Sequence, residues 1–119
     1  MNTIKDIQAR MAELQAELDT LTVAESDGWV VVRSAPSGVW LGRLVARIGG
    51  EVTLGDARRL YFWDGAATLS QLALDGVSKP ESCKFPDAVP HVVVLDVCEI
   101  IPATAKAVKS VQAVTPWRV

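Results

Sequence analysis

The chain has 119 residues, 50% of them hydrophobic and 22% charged, enough for one packed domain and too few for two independent ones. Twelve Lys and Arg against fourteen Asp and Glu leave a net charge of −2, which argues against the strongly basic surface that grips DNA without sequence preference. The charge is unevenly divided: residues 1–26 carry two basic and five acidic side chains, net −3, and residues 27–119 carry ten and nine, net +1, so an anion site has to be a local cluster.

Ile4, Ile7, Met11, Leu14, Leu18 and Leu21 recur at alternating steps of three and four, the a/d seam of a heptad pattern. The spacing predicts a helix over about 3–23. Its narrow apolar strip and polar flanks suit a partner helix, although the seam could also pack on its own domain. The expected division is therefore an oligomerisation helix over 1–26 and a ligand-binding α+β domain over 27–119.

Ser26-Asp27-Gly28 punctuates the chain, and Trp29-Val30-Val31-Val32-Arg33 reads as a buried strand. Turn chemistry at 35–38 leads to a second strand over about 39–48. Gly49-Gly50 then supplies a tight hairpin into a strand over 51–54. After Gly55-Asp56, the run 57–63 reads as a further strand with imperfect alternation. Thr68 and Gln71 fit a capping box for a short helix ending at Gly76. Three prolines make 79–90 a loop, 92–101 reads as one long strand, and Thr104 caps a last helix to about residue 111. The predicted architecture is α+β, an antiparallel sheet with short helices and an N-terminal heptad helix.

The longest apolar runs fall far short of the roughly 20 residues of a membrane helix. Residues 1–6 lack a basic region followed by an apolar block, so no secretory signal is expected and the cytoplasm is the expected compartment. In that reducing compartment Cys83 and Cys98 are expected as free thiols. With a single histidine, His91, and no CxxC spacing, a metal site has little support, and no cofactor is expected.

Nucleophile elbows, phosphate loops and metalloprotease helices are missing from the sequence, so binding is expected in preference to catalysis. The richest stretch is 58–71, which holds Arg58, Arg59, three aromatics including Trp63, and the start of a capped helix. Arginine can fork onto a phosphate, an aromatic face can carry a nucleobase, and a helix start can receive an anion. In a strand Arg58 and Arg59 would face opposite sides, so only one could serve a given pocket. Arginine pairs are also commonly solvated, and 60–63 could be core. Lys84-Phe85, Lys106 and Lys109 are further basic candidates, and four tryptophans are many for this length.

The run ARRLYFWDGAATLSQLA over 57–73, continuing through GVSKPESCKF over 76–85, resembles a family of small phage proteins, the first-described Thoeris anti-defence sponges. The likeness extends to Val31-Val32-Arg33, Ser37-Gly38-Val39 and Glu99-Ile100-Ile101-Pro102. The resemblance implies a non-enzymatic protein in the cytoplasm of an infected bacterial host. It would hold cyclic ADP-ribose isomers uncleaved, so that a downstream effector stays off. It further implies homo-oligomers, dimers or hexamers built as trimers of dimers, some with separate sites for cyclic oligonucleotides. Carried onto this sequence, it assigns Arg58 or Arg59 to phosphate, the turn Gly65, Ala66, Ala67 and Thr68 to backbone contacts, Lys84 and Phe85 to loop contacts or base stacking, and Lys109 to the last helix. An alternative is a structural protein assembling through its heptad helix.

Overall fold

β-Branched residues fill Trp29-Val30-Val31-Val32, and the chain there forms β1 (Trp29–Ser34) in a five-stranded antiparallel sheet. The computed structural model describes residues 28–119, so the expected helix over 3–23 lies outside the described residues. β1 is followed by β2 (Gly38–Ile48), β3 (Glu51–Arg59), α1 (Leu69–Asp75), a 3₁₀ turn (Pro80–Ser82), β4 (Val89–Val94), β5 (Val97–Pro102) and α2 (Ala105–Gln112). The architecture is α+β. No helix among the described residues is long and apolar enough to cross a membrane.

The strand order is β4-β3-β2-β1-β5, which puts β4 and β5 at opposite edges although only Leu95 and Asp96 separate them in sequence. The sheet must therefore roll until its edges meet at a corner. Two hydrogen bonds hold the corner: the Val97 amide donates to the Gly50 carbonyl at 2.9 Å, and the buried Ser34 hydroxyl donates to the Leu95 carbonyl at 2.6 Å. The expected single strand over 92–101 is thus two strands, broken at Asp96, whose φ is +55°. Aspartate tolerates this left-handed region better than most side chains.

Rolling gives the sheet two buried faces. Val30, Val32, Trp40, Val52, Leu54, Ala57 and Val94 fill the inside of the roll. Val31, Leu41 and Leu60 face outward, against Leu72, Ala73, Phe85, Val108 and Val111 on the helices and the loop before β4. A strand buried on both sides reads as a continuous apolar run, as β1 does. Each fully buried large side chain here contributes about 1.5–3 kcal/mol.

Both helix caps form as the sequence predicts. Thr68 Oγ1 accepts from the Gln71 amide, Thr104 Oγ1 accepts from the Ala107 amide, and the Gly76 amide closes α1 on the Leu72 carbonyl. Gly76 adopts φ +75°, and a Cβ there would lie 2.3 Å from Ser110 Cβ, so α1 and α2 meet at a point only glycine allows. Gly49-Gly50 makes the expected hairpin.

Gly55-Asp56, in contrast, does not end a strand. It lies inside β3, where the pairing with β2 slips register and Asp56 takes φ +47° with its carboxylate on Arg43. The run expected as a strand over 57–63 stays in the sheet only through Arg59, with a single bridge between Phe62 and Lys84 beyond it. β4 begins inside the expected proline loop. Pro90 is tolerated there because β4 pairs only with β3 and lies at an edge.

Candidate functional site

Alternation along β3 separates the two adjacent arginines. Arg58 points into the fold and is 6% exposed. Its guanidinium donates to four carbonyls, those of Phe85 (3.0 Å), Pro86 (2.8 Å), Val111 (2.7 Å) and Val114 (2.7 Å), and lies 5.5 Å from the Phe85 ring centroid. Burial lowers its pKa, with the Asp87 charge opposing the shift. With its donors committed to the end of α2 and to the loop before β4, Arg58 does not hold phosphate. Phe85 is likewise corrected: its side chain is fully buried, so it offers no face to a base.

Arg59 points the other way. Its guanidinium lies 4.4 Å from the centroid of the Trp40 ring, and the Trp40 indole N–H is anchored on the Ser37 carbonyl. Arg59, Tyr61 and Trp63, spaced two apart, line a cavity of about 290 Å³ whose far wall is the turn from Pro36 to Val39. Tyr61 stacks on Trp117 with ring centroids 5.4 Å apart and planes 7° from parallel. Lys84 Nζ lies 5.5 Å from the same Trp117 ring, while the Lys84 backbone is tied to Phe62 by reciprocal hydrogen bonds. Arg59 and Lys84 thus lie beside Tyr61, Trp63 and Trp117, with the buried Trp40 ring behind Arg59.

A larger groove, about 610 Å³, opens where α1 ends against α2. Gly65, Gln71, Ser78, Lys106 and Lys109 line it, with Asp75 3.5 Å from Lys106 Nζ. Gly65 is required here: at φ +91° its Cβ would fall 2.5 Å from the Ser78 amide nitrogen. The Gly65 carbonyl instead accepts from the Ser78 amide and hydroxyl.

The turn over 65–68 was expected to lend amides to a ligand, and two of them are already spent. The Gly65 amide donates to Asp64 and the Ala67 amide to Gln71 Oε1. Ala66 packs against the core, and Thr68 Oγ1 is used in the cap. The Gly65 and Ala67 amides are thus committed within the turn, and the lysine side chains add cations at the groove beside it.

The structure therefore places the predicted residues in three environments: Arg58 and Phe85 in the core, Arg59, Trp63 and Lys84 on the aromatic side, and Gly65 and Lys109 in the α1–α2 groove. The 36–39 turn was missed as a cavity wall, as was the buried Trp40 that supports Arg59, because only the β2–β3 register brings Trp40 opposite Arg59. Ser78 and Ser110 were missed as well. The Ser110 hydroxyl both accepts from the Val77 amide and donates to the Val77 carbonyl, so it serves as a strut and not as an activated nucleophile. Among the described residues no cluster of three or more His, Cys, Asp or Glu side chains could hold a metal ion. Cys83 and Cys98 are both free thiols.

The family model for a domain of unknown function, DUF6948, matches residues 28–111. The chain belongs to the DUF6948 family. The match starts where β1 begins and takes in both cavities, whereas Trp117 lies beyond it. No curated protein and no solved structure matches the chain. This DUF6948 domain sets cations beside aromatic rings on one side and hydroxyls at a lysine-lined groove on another.

Proposed function

We propose that this DUF6948 protein binds and sequesters a phosphate-bearing nucleotide without converting it, and that the ligand is a cyclic ADP-ribose isomer used as a bacterial immune signal. The observation that carries this reading is the exposed guanidinium of Arg59 on the Trp40 ring, in one cavity with Tyr61 and Trp63. Such a site offers a cation to a pyrophosphate and a flat face to a base. The choice of cyclic ADP-ribose rests on the resemblance of residues 57–85 to the Thoeris sponges, with the host cytoplasm as the place of action.

The reading is tested by incubating the protein with a cyclic ADP-ribose isomer, removing free ligand by filtration, denaturing with heat and weighing what is released by mass spectrometry. Intact ligand in near-stoichiometric amount is expected, and its loss in the Arg59→Ala variant would locate the site. Altered ligand would indicate an enzyme. No retained ligand, for this isomer or for a cyclic oligonucleotide, would overturn the sequestering role.

A further inference from the structure

The outer face of β2, β3 and β4 carries an apolar surface that the fold itself does not cover. Ile48 is 78% exposed, Val45 54%, Leu95 53% and Val93 50%. The register puts them together: Ala46 pairs with Thr53 and Thr53 with Val93, while the side chains of Val52, Leu54 and Val94 alternate to the buried inside. The Arg43 guanidinium, paired with Asp56, lies over Gly55 at one end of this patch, since a Cβ on Gly55 would meet it at 3.0 Å and Val45 at 3.4 Å. Four exposed aliphatic side chains, bordered by the Arg43–Asp56 pair, form a seat for an apolar ridge, the kind of patch that is normally occupied.

The described chain begins at this face. The Leu44 amide donates to the Gly28 carbonyl at 2.9 Å, so the segment before Gly28 departs beside Leu44, at the foot of Val45 and Ile48. Among the described residues β1 gives β2 no partner past this point. The sequence of that segment carries an apolar stripe, Ile4, Ile7, Met11, Leu14, Leu18 and Leu21. As a helix, residues 4–21 would run about 27 Å, enough to cross three strands spaced about 4.8 Å apart. Residues 22–27 could span up to about 20 Å and so turn the segment back.

We infer that the outer face of β2–β3–β4 seats the N-terminal segment of the same chain, with the 4–21 stripe laid on Val45, Ile48, Val93 and Leu95. This gives the heptad stripe an intramolecular partner in place of a second helix. An isolated helix of this length is marginal in water, so lasting protection of its amides requires a surface to lie on.

Hydrogen exchange on the full chain tests the inference. Residues 4–21 are expected to exchange at least about tenfold more slowly than an unstructured peptide, to the same degree after dilution. The double variant Ile48→Glu/Val93→Glu should abolish that protection and leave β1 amides protected. The segment-side variant Leu14→Asp should have the same effect while leaving every residue of the sheet unaltered. Segment protection that survives both variants, that is lost from the wild type on dilution together with a falling mass in light scattering, or that is never present, would overturn the inference. The dilution result would assign the stripe to a second copy.

Discussion

The Arg58 guanidinium reaches the carbonyl of Val111 at 2.7 Å, across 53 residues of sequence, and with its three other carbonyl contacts fastens the end of α2 to the loop before β4. Lysine at this position would bring one ammonium to acceptors arranged for a planar fork. Arg58→Lys should therefore cost about 3 kcal/mol, because buried carbonyls are left unpaired. For a domain of this size that lowers Tm by more than about 10 °C, which thermal unfolding followed by circular dichroism would register. A loss below about 1 kcal/mol would show that the four contacts are replaceable.

Arg59 predicts the opposite pattern. Its side chain is exposed on the Trp40 ring, so Arg59→Ala should change stability by under about 1 kcal/mol. It should weaken binding of an anionic nucleotide by about tenfold or more, the value of one charge-assisted contact. Titration calorimetry alongside a melting curve reads both quantities. Equal affinity in variant and wild type would remove the aromatic cavity from the ligand site.

Two glycines with positive φ provide an internal comparison. Gly49 has open space where a Cβ would go, whereas at Gly76 the Cβ would fall on Ser110. Gly49→Ala should cost about 1–2 kcal/mol, the backbone penalty alone. At Gly76 the backbone, φ +75° and ψ −146°, lies in a region held almost only by glycine, so Gly76→Ala adds a further backbone penalty and overpacking of about 1–3 kcal/mol each. Urea unfolding of the pair should therefore show the larger loss at Gly76. Equal losses would mean that Ser110 moves aside freely and the Gly76 backbone relaxes.

The two thiols should separate by reactivity with a disulfide reagent. Cys98 is exposed on β5, whereas Cys83 is buried with its Sγ beside the Lys79 and Asp64 carbonyls. One thiol per chain should react rapidly in the native protein and two after denaturation. Rapid reaction of both in the native state would mean that the loop holding Cys83 opens readily.

Much of the local structure was legible because its causes are local. The Thr68 and Thr104 caps, the Gly76 stop and the Gly49-Gly50 hairpin depend on residues within one turn of one another. The break at Leu95-Asp96 was not legible, since no glycine or proline marks it. It exists because β1 and β3 each capture half of the run. The same holds at Arg58. Opposite facing of the two arginines follows from strand geometry, but which one turns inward is decided by carbonyls 27 to 56 residues away. Gly55-Asp56 misled for the converse reason: a turn-like dipeptide was absorbed as an irregularity inside a paired strand.

The corner at Leu95-Asp96 also sets an order of events. β1 is the first described strand to be synthesised, yet its second neighbour, β5, ends at Pro102. On the ribosome the roll cannot close until β5 has emerged, and Val30 and Val32 must wait for Ile100 and its neighbours to shield them. Closure pairs segments about seventy residues apart, a non-local step of the kind that slows folding. Premature termination before β5 would leave one side of β1 open, a ready template for pairing with another chain.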